Sequence, residues 1–175
     1  MKTPKKVLND PRQATAEMVE GLVLAYDGRV GRVDGHGALY LKDMPASKVA
    51  LLVGGGSGHE PIFGGFLGKN LADGAACGEV FTSPSPQTIC AAARAIHRGK
   101  GVIFVYGNYA GDNMNFDMAA EMLAVEGIET RTVRVCDDVA VGAPDRREER
   151  RGIAGDVFVI KIAGGAAAEL SSLDE

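Results

Sequence analysis

The chain has 175 residues, enough for one domain with its own core, and its 46% hydrophobic and 24% charged residues are ordinary for a globular protein. A formal charge of −4 argues against a broad nucleic-acid surface, which needs clustered Lys and Arg, and no uncharged apolar stretch reaches the ~18 residues of a membrane span. Small molecules and protein partners remain, and the 24 glycines, concentrated between apolar segments, point to binding through backbone.

The basic start, Met1 to Val7, lacks the apolar core of a signal peptide, so a cytoplasmic location is expected. From Asp10 to Tyr26, Pro11 near the first turn and Met18, Leu22 and Ala25 at helical spacing predict an amphipathic helix that Asp27-Gly28 ends. Short apolar pieces between Val30 and Leu41, broken by Gly31, Gly35 and Gly37, predict a hairpin, with His36 a turn residue of no assigned chemistry.

Val49 to Val53 shows no polar alternation and reads as a strand buried on both faces. It empties into Gly54-Gly55-Gly56-Ser57-Gly58-His59-Glu60-Pro61, where missing Cβ atoms open backbone N–H groups to a ligand and permit positive φ. His59 stands beside whatever those amides hold, and Glu60 either accepts a hydrogen bond from His59 or faces water. Pro61 to Leu71 is expected as a short helix and Ala75 to Phe81 as a short strand. Thr82 to Pro86 then caps a helix over Gln87 to His97, with Gly99 finishing it and His97 a dipole partner at its end.

Gly101 to Tyr106 is a second apolar strand, followed at once by the polar run Gly107 to Phe116, a helix over Asn115 to Glu126 and a strand over Thr130 to Val135. The repeated alternation predicts an α/β fold: one domain over 1–175, a mostly parallel sheet with helices on both faces, and ligand-binding loops at the carboxyl ends of the strands. Asp137 and Asp138 read as loop-capping residues, and Asp145 to Arg151 as a solvated, mobile connection. Ile153 to Ala163 is open: its β-branched residues favour a strand, its length and Ala-rich sequel a buried helix. Cys77, Cys90 and Cys136, odd in number and without a C-x-x-C pair, read as small buried apolar residues, and no metal site is expected.

Commoner signatures fail at the glycine run. A dinucleotide fingerprint from Gly54 and a hydrolase elbow around Ser57 both require glycine where His59 stands, and a P-loop needs G-K-[ST] where the chain has Gly68-Lys69-Asn70. What remains is one imidazole, His59, and one carboxylate, Asp112, on segments that follow two apolar strands. Together they suit acid–base work on a hydroxyl or carbonyl; the plainer reading of Asp112 is a cap on the helix beginning near Asn115.

The glycine run, with Gly78 to Ser85, Asn108 to Phe116, Asp137 to Ala140 and Arg151 to Gly155, resembles the substrate-binding K domain of dihydroxyacetone kinases, in order from about Lys48 to Glu169. The resemblance implies that Gly55, Gly56, Ser57, Gly58, His59, Gly107 and Asp112 cradle a short hydroxyketone, with Gly56 and His59 on its oxygens. Asp112 would lie near the hydroxyl to be phosphorylated, and His59 or Asp112 would take its proton. It further implies a homodimer, no cofactor on this chain, and a separate L domain or subunit presenting ATP, or recharged ADP, with Mg²⁺.

Two departures qualify the resemblance. Many dihydroxyacetone-specific members carry lysine at the position of Gly107, and glycine there resembles relatives acting on four-carbon ketoses such as erythrulose. Family members also continue into a region whose histidine binds the ketone covalently, whereas this chain stops at Glu175, so it is expected to be a truncated N-terminal half or a naturally abbreviated protein, in both cases without activity alone. The competing expectations are a ketose-sensing or regulatory protein-binding module without turnover and, with least support, an enzyme carrying its own nucleotide site.

Overall fold

The computed structural model describes residues 7–169 and 172–175; apart from Val7, the basic start lies outside the described residues. Six strands form one sheet: β1 (Val30–Val33), β2 (Ala38–Leu41), β3 (Ala50–Ser57), β4 (Gly74–Val80), β5 (Val102–Gly107) and β6 (Thr130–Val135), in spatial order β1-β2-β4-β3-β5-β6. β3 runs parallel to β4 and β5, and β5 to β6; the β1–β2 hairpin adds an antiparallel edge through β2 and β4.

Four helices cover the two faces: α1 (Ala14–Ala25), α2 (Pro86–Ile96), α3 (Ala110–Val125) and α4 (Asp156–Glu169). Leu52, Phe104 and Tyr106 meet α2 and α3 on one face, while Leu51, Val53 and Val105 meet Val19 of α1 and Ile160 of α4 on the other. Period-two side chains therefore all find apolar cover, which is why β3 and β5 carry no polar alternation. A buried ion pair ties the sheet internally: Lys48 Nζ lies 2.9 Å from Asp73 Oδ1, and Asp73 Oδ2 accepts from the Leu51 amide at 2.8 Å.

Several local expectations change. Pro61 to Leu71 is not a helix; only a 3₁₀ turn at Gly64–Phe66 forms, since Pro61, two adjacent glycines and Gly68 leave no run of helix formers. α3 begins at Ala110 rather than Asn115, after an extended Tyr109 whose side chain makes no capping bond, so the usual polar cap signal is missing. The open segment is a helix from Asp156, with Ile160 facing the core. Cys77 and Cys90 are buried, but Cys136 is only half-buried at the end of β6. Among the described residues no helix is long and apolar enough to cross a membrane.

Candidate functional site

A cavity of about 580 Å³ lies at the carboxyl ends of β3 and β5, and its polar lining includes Gly56, His59, Gly107, Asp112 and Asp156. Phe63, Phe81, Tyr109 and Ile153 form much of its apolar wall. Three of the elements that converge here follow one local plan: a buried strand or strand-end segment, a glycine-bearing turn, and an ionisable group just beyond it.

The glycine run is more strand than loop. β3 continues through Gly54, Gly55 and Gly56 to Ser57, and of these four glycines only Gly58 has positive φ, at 98°. What the first three provide is close approach. A Cβ on Gly54 would lie 2.7 Å from the Ala76 carbonyl oxygen, on Gly55 2.2 Å from the Phe63 ring, and on Gly56 2.6 Å from the Thr82 nitrogen. Gly55 and Gly56 still line the cavity, whereas Ser57 and Gly58 do not. The buried Ser57 hydroxyl donates to the Gly78 carbonyl at 2.6 Å, and the Gly58 amide donates to the Glu60 carboxylate at 3.0 Å. Glu60 thus holds the turn rather than His59.

His59 Nδ1 is 2.9 Å from the Gly56 carbonyl oxygen. A carbonyl only accepts, so Nδ1 carries the proton and Nε2 of the neutral ring is its acceptor. The ring packs edge-on against Phe81, with centroids 5.0 Å apart. An imidazole anchored on one nitrogen and solvent-accessible is ready to take a proton on the other.

Asp112 is the third residue of α3 and lies in its first turn, not at a cap before Asn115. Its Oδ1 is buried without a hydrogen-bond partner. Burial raises its carboxyl above the usual range, partly offset by the Ser83 side chain and the charge of His59. Gly107 ends β5, and a Cβ there would meet the Tyr109 ring at 3.3 Å and Asp156 Oδ2 at 3.4 Å. The cavity therefore brings together Gly55, Gly56, His59, Gly107 and Asp112 of the residues singled out in the sequence.

Asp156 was not among them. It is 4% exposed, and burial, with Asp137 and Asp112 adding negative charge, pushes its carboxyl up to about 7. The available signal was the same plan that marked Asp112: an acid at a helix start after a glycine-bearing turn. Asp137 builds that turn, accepting from the amides of Ile153 and Gly155 at 2.7 Å each, while Asp138 accepts from the Ala140 amide at 3.2 Å and from Arg151 at 3.1 Å. Both Asp137 and Asp138 are loop-capping residues, as their sequence suggested.

The charged run is exposed but held. Asn108 donates to the carbonyls of Glu148 at 2.8 Å and Arg150 at 2.7 Å, and accepts from Asn113 at 2.8 Å. His36 lies in a turn with Nδ1 3.4 Å from the Thr88 hydroxyl, and His97 follows α2 with its amide on the Ala93 carbonyl; neither lines this cavity.

A family model described as the Dak1 domain matches residues 20–175. The chain is 42% identical over 171 residues to the dihydroxyacetone-binding subunit DhaK of the PTS-dependent dihydroxyacetone kinase of Lactococcus lactis, covering 98% of this chain and 52% of that one. It is 44% identical over 169 residues to the L-erythrulose 1-kinase of Mycolicibacterium smegmatis, covering 97% of this chain and 29% of the relative. Among solved structures, the dihydroxyacetone kinase of C. freundii in complex with AMP-PNP and Mg²⁺ superposes with a TM-score of 0.89 at 32% identity, over 98% of this chain and 32% of that one. The dihydroxyacetone kinase operon co-activator Dha-DhaQ superposes with a TM-score of 0.83 at 34% identity, over 91% of this chain and 49% of that one. The chain spans about half the length of the DhaK subunits it matches.

Proposed function

Because this chain belongs to the Dak1 domain family, we propose that it is the substrate-binding part of a kinase that phosphorylates a short-chain ketose, dihydroxyacetone or erythrulose, at a terminal hydroxyl. The observation that carries this reading is the convergence of the anchored His59 and the half-buried Asp112, whose Oδ1 is unpaired, on one cavity at two strand ends. A hydroxyl between them has an acceptor for its proton and a carboxyl to orient it, and the apolar wall gives the carbon skeleton a surface to pack on. In phosphoryl transfer the protein's work is positioning and charge stabilisation, and the acceptor half of that work needs no phosphate-binding loop.

The same reading makes residues 1–175 one α/β unit, the N-terminal half of a K domain. It places ATP, or ADP recharged by a phosphotransferase system, with Mg²⁺ on an L domain or subunit, and assigns a homodimer in the cytoplasm. Gly55 and Gly56 offer the cavity floor, and Gly107, without a side chain, leaves the cavity open beside Asp156 for a three- or four-carbon ketose.

Isothermal titration of dihydroxyacetone and erythrulose into the chain tests the reading. At least one ketose binds, and His59→Ala and Asp112→Ala each weaken it by about tenfold or more, the scale of a lost polar contact in a desolvated site. Absence of binding by either ketose, or unchanged binding in both variants, overturns it.

A second reading, a module that senses a ketose without turnover, is favoured by the likeness to an operon co-activator. A coupled kinase assay with a dihydroxyacetone kinase L subunit separates the two. Ketose phosphorylation supports the kinase part; ketose binding without turnover, in this chain and in one extended to the length of the DhaK subunits, supports the sensor.

A further inference from the structure

The cavity holds a second acid for which acid–base chemistry at His59 and Asp112 has no use. Asp156 enters it from the first turn of α4, nine-tenths buried, and its Oδ1 has no hydrogen-bond partner. An acid at a helix start ordinarily serves the positive end of the helix, where amides satisfy its oxygens and keep it ionised. Asp156 does neither. Two amides just before or at the opening of α4, those of Ile153 and Gly155, are already taken by Asp137, and burial favours the neutral carboxyl. A buried polar atom left unpaired in a cavity is one that a ligand can pair.

Gly107 explains why the carboxyl is left facing the cavity. A Cβ at that position would already touch Asp156 Oδ2 at 3.4 Å, so a side chain reaching further than alanine would run into the carboxyl. Gly152 lets the segment before α4 come this close, since a Cβ on it would lie 2.4 Å from the Gly107 Cα. On the other side Asp112 presents its own unpaired Oδ1. Among the described residues neither Lys nor Arg lines the cavity, so they offer no basic side chain to match an anionic occupant; two carboxyls and an imidazole fit a neutral molecule with several hydroxyls.

On the reading that this cavity takes a short-chain ketose, we propose that Asp156 is a specificity-determining residue. Its carboxyl group holds a second hydroxyl of the ketose, across the carbonyl from the hydroxyl that meets Asp112. As the neutral acid it donates to that hydroxyl through one oxygen and accepts through the other. The occupant is then a ketone hydroxylated on both sides, and a monohydroxy ketone leaves one buried carboxyl oxygen unpaired. Selection of this kind is strong because the site's own polar atom suffers when the hydroxyl is missing.

The test is isothermal titration of dihydroxyacetone and of hydroxyacetone, which keeps the carbon skeleton and lacks one hydroxyl, into the full chain and its Asp156→Leu and Asp156→Asn variants. The unsubstituted chain prefers dihydroxyacetone by about tenfold or more. Asp156→Leu reduces that preference to about twofold or less, by weakening dihydroxyacetone and sparing hydroxyacetone the unpaired oxygen. Asp156→Asn keeps most of the preference, because an amide also donates and accepts. If the leucine variant does not melt cooperatively, Asp156→Ala is read in its place.

A preference unchanged in Asp156→Leu or Asp156→Ala, with both ketones still binding, overturns the assignment and leaves the ketose reading intact. No ketone binding to the unsubstituted chain overturns both. Titration of Mg²⁺ alone provides the remaining arm: binding that disappears in Asp156→Asn would make the acid pair a cation site and overturn the proposal.

Discussion

Gly152 lies so near Gly107 that a Cβ on the first would sit 2.4 Å from the Cα of the second and 2.6 Å from the Val135 carbonyl oxygen. Both contacts are to backbone, which has little freedom to yield. Gly152→Ala therefore pushes the start of α4 away from the end of β5, and overpacking of this kind costs about 1–3 kcal/mol. Thermal unfolding shows the loss as a melting temperature lowered by several degrees, and titration shows weaker ketose binding with it. An alanine variant with unchanged stability would mean that the two segments do not meet as described.

Asp156 predicts a pH-dependent stability. Its carboxyl is held at about 7 in the fold, by burial first and then by Asp137 from the end of β6 and Asp112 from α3, against an ordinary 3.8. A raised folded value means that the group's contribution is fully present below about pH 4 and is lost as pH rises through about 7. Asp156→Asn removes that loss, which is on the order of 2–4 kcal/mol for a shift of this size. The difference in melting temperature, variant minus parent, is therefore more positive at pH 8 than at pH 5. Equal differences at the two pH values refute the assignment.

Lys48 and Asp73 form an ion pair that is nearly sealed from solvent, and Asp73 also accepts from the Leu51 amide at the start of β3. Removing one partner leaves the other charge buried, at a cost of about 3–5 kcal/mol. Lys48→Met is accordingly expected to lower the midpoint of urea unfolding substantially, although methionine is apolar and fills much of the same volume. A midpoint within error of the parent would show that the pair contributes nothing that methionine does not.

Asn108 holds the charged run from beneath through the carbonyls of Glu148 and Arg150. Asn108→Ala removes both bonds while leaving the sheet untouched. Limited trypsin digestion then cuts among Arg146, Arg147, Arg150 and Arg151 several-fold faster, because cleavage of an exposed loop follows how readily it opens locally. An unchanged cleavage rate at these arginines would show that the loop is held by something else.

Much of the fold was legible because β3 and β5 are covered on both faces, which leaves apolar runs that no surface element would tolerate. The start of α3 was not, because Tyr109 begins it without a side-chain cap, and sequence signals of helix starts are largely capping signals. His59 and Asp112 were found as chemistry-bearing residues just past strand ends. Asp156 escaped notice because its character depends on Gly107, Gly152 and Asp137, residues distant in sequence whose backbones close around it. The glycine run was located correctly and misread in kind: three of its four glycines belong to a strand and make space for Phe63, Phe116 and the backbone at Phe81 and Thr82.

That strand of glycines also limits how this cavity can diverge. An added carbon on Gly54 or Gly56 would lie within 3 Å of neighbouring backbone, and one on Gly55 would strike the Phe63 ring, so no single replacement along this strand reshapes the floor without displacing a neighbour. Variation in ligand preference is thereby channelled to the side chains around that floor, where His59, Asp112 and Asp156 present groups that can be exchanged while the strand beneath them keeps its course.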